Sequence, residues 1–119
     1  AGGVFRLPSR VGYAKAMEMA LTGEPITAEE ALDAGLLSEM TEPGKALDAA
    51  IALAERIAEN APLAVKASKS LVRAAAMGTE GDKLWQMQVP LQKSVFASND
   101  AKEGPVAFAE KRAPNWTGT

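Results

Sequence analysis

The sequence of 119 residues contains no histidine and no cysteine. Histidine is the commonest general base near neutral pH, and cysteine supplies thiolate nucleophiles, disulfides and metal ligands. Their absence excludes a Ser-His-Asp triad, a Cys-His dyad and a His-ligated zinc site built from this chain alone. The chain also lacks a basic excess, since its formal net charge is −2. We therefore do not expect nucleic acid as its main partner.

Other shortages bear on fold and location. No apolar run approaches the roughly 20 residues that span a bilayer. No basic and then apolar leader opens the sequence, so we expect a cytoplasmic protein without a membrane partner. Aromatic residues make up 5% of the chain and β-branched residues are sparse, whereas alanine provides 24 of 119 residues. Because alanine is the best helix former, the composition predicts one small, mostly α-helical domain.

Apolar periodicity predicts a string of about six helices. The predicted helices run from Tyr13 to Leu21, Thr27 to Gly35, Lys45 to Asn60, Pro62 to Met77, Thr79 to Val95 and Ser98 to Arg112. Thr27 and Glu30 form a predicted capping box at the start of the second helix. After that helix, Leu36 to Met40 is predicted to be a short extended segment.

Proline and glycine are expected to disturb the later helices. Pro90 lies inside the fifth predicted helix, where its missing N–H and its ring predict a kink or break. Gly104 and Pro105 are expected to interrupt the sixth helix near its start. Thr79 is expected to cap the fifth helix, and Ser98-Asn99-Asp100 is expected to cap the sixth.

Paired carboxylates are the candidate acid–base groups in a chain without histidine. Glu29 with Glu30 and Glu55 with Glu59 are the conspicuous pairs, but acid–base catalysis needs both carboxyl groups to converge on one substrate atom. Glu55 and Glu59 follow a solvent-facing stripe and Glu30 has a capping role, so structural roles are favoured. Glu18 is a slightly better candidate, although a position at the edge of the surface is favoured for it too.

Two groups of cationic residues are candidates for contact with a phosphate. Lys66, Lys69 and Arg73 share a helix face, where a solvated basic surface is the commoner explanation. Phe108 and Lys111 are predicted to lie one turn apart on one helix face, where the ring can cover an adenine while the cation meets a phosphate. Taken alone, a core phenylalanine and a surface lysine are the default interpretation. No Gly-x-Gly-x-x-Gly or Walker-type loop is present.

Four stretches of the chain carry a further signal. They are Ala1-Gly2-Gly3 with Arg6-Leu7-Pro8; Ala20 to Ile26 with Ala28-Glu29-Glu30-Ala31 and Gly35-Leu36-Leu37; Ala54 to Ala58 with Ala61-Pro62-Leu63-Ala64 and Lys66; and Ser98-Asn99-Asp100 with Glu103-Gly104, Ala107-Phe108, Glu110-Lys111-Arg112 and Pro114. In this order they resemble the C-terminal part of the crotonase, or enoyl-CoA hydratase/isomerase, family. One stretch would be a weak signal, whereas four in the family's order cover essentially the whole chain.

The resemblance implies a fold and a domain organisation. We expect the helical C-terminal region of a ClpP/crotonase-like fold, mostly α with at most one short extended segment. Residues 1–40 would form the end of the crotonase core and its first covering helices. Residues 41–119 would form a helical region for oligomerisation and for covering CoA, within a trimer or a dimer of trimers.

The resemblance also implies a chemistry. Family members bind acyl-CoA thioesters and stabilise an enolate-like oxyanion with two backbone N–H groups. Hydratases add water across the 2,3 double bond with two glutamates as acid and base, and by the family's order these groups are expected upstream of Ala1. No residue of this chain is then expected to be catalytic, and neither a metal nor a cofactor is implied beyond the CoA thioester substrate. Phe108 and Lys111 would contact the adenine and phosphate end of CoA, and Gly2 and Gly3 would belong to the turn near the acyl pocket.

Two functions of different class remain open from the sequence. In the first, the chain is the C-terminal portion of an enoyl-CoA hydratase-like enzyme of fatty acid β-oxidation and is inactive in isolation. In the second, it is a stand-alone helical module that binds CoA or drives oligomerisation without catalysis. Four aromatic residues, which are more than a small helical array is expected to hide, suit a partner surface in either case. They are Trp85, Phe96, Phe108 and Trp116.

Overall fold

The computed structural model describes residues 2–119, which form eight helices and no β-strand. In chain order the helices are α1 (Gly3–Arg6), α2 (Pro8–Val11), α3 (Tyr13–Thr22), α4 (Ala28–Asp33), α5 (Ala46–Ala58), α6 (Pro62–Ala76), α7 (Gly81–Ala97) and α8 (Asn99–Glu110). The predicted mostly helical class is confirmed. The extended segment predicted from Leu36 to Met40 forms no strand. The backbone N–H groups of Leu36 and Leu37 instead both donate to the carbonyl of Ala31, at 2.8 and 3.2 Å, which turns the chain after α4.

The described residues divide into two units. The first contains residues 2–50 with Ala76–Gly78, and the second contains Ile51–Ala75 with Thr79–Thr119. Helices α1 to α4 lie in the first unit, whereas α7, α8 and the last residues of the chain lie in the second.

The capping box predicted at α4 is confirmed. Thr27 Oγ1 accepts a hydrogen bond from the backbone N–H of Glu30 at 3.1 Å, and Glu30 Oε2 accepts one from the backbone N–H of Thr27 at 2.8 Å. Two of the donors that a helix start leaves without intrahelical partners are satisfied in this way. The pattern is local, and four residues of sequence specify it.

The bounds of α3, α5 and α6 agree with the predicted ones to within two residues. Gly23 follows α3 with left-handed backbone. Asn60, just beyond α5, donates through Nδ2 to the carbonyls of Arg56 and Ile57 at 3.0 and 3.3 Å. These bonds satisfy carbonyls that the end of a helix leaves free. Pro62 opens α6 as predicted, because its missing N–H has no intrahelical partner at that position.

The start of α7 differs from the prediction. Thr79 does not cap this helix, because the N-terminal capping position belongs to Glu80, whose side chain makes no capping bond. Thr79 instead completes the end of α6: Gly78 is left-handed, and the N–H of Thr79 donates to the carbonyl of Ala74 at 3.1 Å. This backbone bond is the one that closes a Schellman motif.

The predicted break at Pro90 and the predicted interruption at Gly104 and Pro105 are wrong, whereas a kink at Pro90 stays a prediction. Helix α7 continues through Pro90, and α8 continues through Gly104 and Pro105. A proline removes one intrahelical hydrogen bond, and α7 has 17 residues, so regular turns remain on both sides of it. The start of α8 is fixed as predicted, because Ser98 Oγ accepts from the N–H of Ala101 at 3.1 Å.

Large apolar side chains lie mostly at the surface. Among residues 2–119, the buried apolar side chains are those of Ala16, Ala31 and Ala107. Five large apolar side chains on α5, α6 and α7 are more than 60% exposed: Leu47, Val72, Trp85, Val89 and Phe96. Exposed apolar surface of this extent is typical of faces that another segment or subunit covers.

The capping box makes a testable contribution to stability. We expect Thr27→Ala to lower the free energy of unfolding by about 1 kcal/mol, because the N–H of Glu30 then loses its acceptor. Thr27→Ser keeps the hydroxyl and serves as the matched control. Urea denaturation of the protein and both variants checks this, and equal midpoints for Thr27→Ala and Thr27→Ser would contradict it.

Candidate functional site

The last turn of α8 ends in an unusual backbone conformation. Helix α8 stops at Glu110, and Lys111 follows with φ 54° and ψ 38°, in the left-handed region. The N–H of Lys111 donates to the carbonyl of Phe108 at 3.2 Å, and the N–H of Arg112 donates to that of Ala107 at 3.1 Å. These two bonds form a Schellman motif, whose left-handed position is usually glycine. Among residues 2–119, Lys111 is the one non-glycine residue with positive φ, a conformation that costs roughly 1–2 kcal/mol.

Phe108 and Lys111 share this turn, although not in the predicted arrangement. Lys111 lies beyond the helix, so the expectation that both residues stand on one helix face is wrong. The helix ends at Glu110, and the Schellman bonds turn the chain at Lys111, the residue that would have shared a face with Phe108. Phe108 is 87% exposed and Lys111 is exposed. The default interpretation of a core phenylalanine therefore does not hold in the described chain.

A carboxylate two turns earlier on α8 holds the residues that follow this turn. Glu103 Oε1 and Oε2 accept from the Arg112 guanidinium through Nη1 at 2.5 Å and Nη2 at 3.0 Å. The backbone N–H of Asn115 also donates to Glu103 Oε1, at 2.7 Å. Hydrogen bonds from Arg112 and then from Asn115 lower the pKa of Glu103 from its ordinary 4.5 to about 2. The pKa of Arg112 is raised, chiefly by its bonds to Glu103 and to Glu110.

A second carboxylate, at the start of α8, holds the end of the chain. Asp100 is 3% exposed. Its Oδ1 accepts from the backbone N–H and the hydroxyl of Thr117 at 2.7 and 3.1 Å, and its Oδ2 accepts from the N–H of Gly118 at 3.0 Å. The backbone bond from Thr117 is the main reason why the pKa of Asp100 is lowered. Asp100 and Glu103 are three residues apart and therefore share one face of the helix.

Residues 113–119, the terminal segment, also contact the region between α5 and α6. Trp116 donates through Nε1 to the carbonyl of Glu59 at 2.7 Å. Its ring lies 3.4 Å from the position that a Cβ on Gly104 would take, so this helical glycine leaves room for the indole. Gly118 has φ 73°, and a Cβ there would stand 3.3 Å from Cγ of Pro62. Glycine at 118 suits the left-handed backbone, and its missing side chain allows this close approach.

The other two predicted site residues lie in the first unit. Gly2 precedes α1 with φ 81°, and Gly3 is the first residue of that helix. Arg6 donates through Nε to the carbonyl of Gly2 at 3.0 Å. A Cβ on Gly2 would lie 2.8 Å from Cζ of Phe5, an exposed side chain that can move away, so the positive φ is what favours glycine here. The placement of Gly2 and Gly3 near an acyl pocket stays a prediction.

The remaining candidates occupy surface positions. Lys66, Lys69 and Arg73 are exposed on α6. Glu18 forms a 3.0 Å ion pair with Lys15. Within the part of the chain that the structure describes, no cluster of three or more acidic side chains suits a metal ion. The same part contains no helix long and apolar enough to cross a membrane.

Sequence reasoning missed the contacts that build this site. The sequence places Glu103 and Arg112 only in the pattern that resembles the family, and it places Asp100 there and in the predicted cap of the last helix. Two carboxylates three residues apart on a helix are a visible signal, but their partners lie 9 to 18 residues away. Spacing on one helix does not reveal partners beyond its end.

The low pKa of Glu103 predicts a pH-dependent loss of stability. Because folding lowers this pKa from 4.5 to about 2, the stabilisation is complete above pH 4.5 and disappears as the pH falls toward 2. We expect Glu103→Gln to have a lower melting temperature than the wild type at pH 7. That difference should close between pH 4.5 and 2, since protonation of Glu103 has a similar effect to the substitution.

Glu80→Gln is the matched control for this experiment. It removes an exposed carboxylate that pairs with Lys83, and such pairs contribute little to stability. Thermal melts of the three proteins from pH 7 to pH 2 provide the measurement. A difference between the wild type and Glu103→Gln that stays constant down to pH 2 would contradict the assignment.

Comparison with known proteins extends over the whole chain. The family model for enoyl-CoA hydratase/isomerase matches residues 1–119. A carnitinyl-CoA dehydratase of Proteus mirabilis is 44% identical over 98% of this chain and 46% of its own length. An enoyl-CoA hydratase, EchA19, of Mycobacterium tuberculosis is 42% identical over 97% of this chain and 43% of its own length. The chain thus spans about half the length of these curated relatives.

Solved structures show the same relationship. A crystal structure of an enoyl-CoA hydratase from Mycobacterium tuberculosis superposes with a TM-score of 0.92 at 53% identity, over 99% of this chain and 46% of that one. The enoyl-CoA hydratase EchA1 of Mycobacterium marinum gives a TM-score of 0.92 at 52% identity, over 99% and 48%. The resemblance found in the sequence is confirmed at the level of family and fold. With a family model matched from end to end and relatives above 40% identity, the chain belongs to the enoyl-CoA hydratase/isomerase family.

Proposed function

We propose that this chain is the C-terminal portion of an enoyl-CoA hydratase-like enzyme that binds acyl-CoA and adds water across the 2,3 double bond. The names of the relatives support this, because hydratases and dehydratases of CoA esters add or remove water. The chain spans less than half of each relative. The two catalytic glutamates and the oxyanion-hole amides are assigned to the part of the enzyme that precedes Ala1.

The chemistry of the described residues agrees with this division. The chain has no histidine and no cysteine. Three of its carboxylates are already engaged: Glu30 caps α4, while Asp100 and Glu103 hold the residues after α8. The hydrogen bonds that lower the pKa of Asp100 and of Glu103 make these two carboxylates poor proton donors or acceptors near neutral pH. We therefore assign to this chain the binding of CoA and not the hydration step.

One observation carries the assignment of the CoA contact. The last turn of α8 combines a phenylalanine that is 87% exposed with a lysine in left-handed backbone. Both features are unfavourable in a free protein, and strained or exposed residues of this kind cluster at ligand sites. An aromatic face stacks on a nucleobase, and an ammonium group pairs with a phosphate. We assign Phe108 to the adenine of CoA and Lys111 to its phosphate end.

The exposed apolar faces support an assembly. Residues 41–119 would form a helical region that packs against the rest of the enzyme and against other copies of it in a homo-oligomer. The evidence is the exposure of Leu47, Val72 and Val89 on three successive helices. Such side chains are expected to be buried in the complete protein.

Two substitutions at one position separate binding from folding. In the complete enzyme, we expect Lys111→Ala and Lys111→Gly each to raise the KM for crotonyl-CoA about tenfold, the equivalent of one charge-assisted hydrogen bond. Their kcat should stay near the wild-type value. Lys111→Gly should also raise the melting temperature, because glycine adopts the left-handed conformation without strain. Steady-state kinetics and thermal melts measure both effects.

The isolated 119-residue chain provides the control. Once circular dichroism has shown that its helices form, it is assayed with crotonyl-CoA and titrated with CoA. We expect no turnover. Turnover by this chain would contradict the assignment of the catalytic groups to the part of the enzyme that precedes Ala1. Tight CoA binding without turnover would favour a stand-alone binding module. An unchanged KM in both Lys111 variants would remove Lys111 from the CoA site.

A further inference from the structure

We propose that Glu103 is a positioning residue that holds Arg112 so that the left-handed turn at Lys111 presents Phe108 and Lys111 to the adenosine-phosphate end of CoA. This proposal rests on the proposed function, since it concerns how the same CoA contact is formed. It adds a role for two residues that are not assigned to ligand contact.

Helix geometry shows why the Glu103–Arg112 pair depends on the turn. If α8 continued past Glu110, residue 112 would stand about 13.5 Å further along the axis than residue 103. Nine residues at 3.6 per turn also amount to two and a half turns, which would place the two side chains on opposite faces. The bidentate contact between Glu103 and Arg112 therefore forms only when the chain turns back at Lys111.

The pair consequently distinguishes two conformations of the chain. A lysine at the left-handed position opposes the turn, while the Glu103–Arg112 pair forms only in the turned state. A contact that exists in one of two states shifts the equilibrium toward that state. Glu103 thus favours the turned state in the free protein, before any ligand binds.

The geometry of the contact suits this task. Two parallel N–H···O bonds between a guanidinium and a carboxylate fix their relative orientation as well as their distance. The side chain of Glu103 is 21% exposed, so water competes less for it than for a surface carboxylate. Its third bond, from the N–H of Asn115, ties the segment after the turn to the same side chain. Like any glutamate, Glu103 is charged in the neutral range, so its bonds to Arg112 are charge-assisted.

A truncated substrate separates positioning from general stability. Crotonyl-pantetheine carries the same acyl group and thioester as crotonyl-CoA but lacks the adenosine-phosphate end. In the complete enzyme, we expect Glu103→Gln to raise the KM for crotonyl-CoA about fivefold, which corresponds to a turned state that is populated about one-fifth of the time. The kcat with crotonyl-CoA should be unchanged. Both kinetic constants for crotonyl-pantetheine should equal those of the wild type, which also shows that the variant is folded.

The sign of the effect excludes a simple charge explanation. Removing a negative charge near a phosphate site should strengthen phosphate binding and lower the KM, whereas loss of positioning raises it. Glu110→Gln is the matched control, because it removes the other carboxylate that contacts Arg112 and leaves the tie to Glu103 in place. Its KM for crotonyl-CoA should not rise.

If Glu103→Gln does not fold, Arg112→Lys replaces it in the experiment. Lysine keeps the positive charge but lacks the planar fork of the guanidinium, so the same rise in KM is expected.

The outcomes separate this proposal from the one on which it rests. An unchanged or lower KM for crotonyl-CoA in Glu103→Gln overturns the positioning role, and so does an equal rise for both substrates. If Phe108→Ala raises the KM for crotonyl-CoA but Glu103→Gln does not, the CoA site stands and the positioning role fails. If neither Phe108→Ala nor Lys111→Ala raises the KM for crotonyl-CoA more than the KM for crotonyl-pantetheine, the assignment of the CoA contact itself fails.

Discussion

Two carboxylates on one face of α8 hold the end of the chain, and the candidate site depends on them. Asp100 is buried and accepts from Thr117 and Gly118, while Glu103 accepts from Arg112 in a bidentate contact. A buried carboxylate without partners is strongly unfavourable. The helix and the terminal segment therefore stabilise each other, since the partners of the Asp100 carboxylate belong to the terminal segment.

This constraint accounts for the strained turn between helix and terminal segment. The chain must reverse after Glu110 for its last residues to reach the two carboxylates. The left-handed conformation at Lys111 provides that reversal, although glycine would adopt it at lower cost. Phe108, in the last turn before this reversal, is exposed. Strain and exposure thus fall on the two residues that the family resemblance assigns to CoA, and ligand binding is a physical reason for tolerating both.

The sequence predicts local features of this fold and misses those that depend on distant partners. The capping box at Thr27 needs only four consecutive residues, so its pattern was sufficient. The sequence predicts Thr79 as a helix cap, but its N–H closes the end of the preceding helix. The expected break at Pro90 failed because a single missing hydrogen bond does not stop a long helix. Glu103 could not be assigned, because its partners lie beyond the end of its own helix.

A crystal structure of the complete enzyme with a bound CoA thioester tests the central claim most directly. We expect the adenine against the ring of Phe108, a phosphate oxygen within hydrogen-bond distance of Lys111 Nζ, and Lys111 in the same left-handed conformation as in the free protein. The bidentate contact between Glu103 and Arg112 should persist unchanged. An adenosine-phosphate end bound elsewhere, or a change in the sign of φ at Lys111 on binding, would contradict the account.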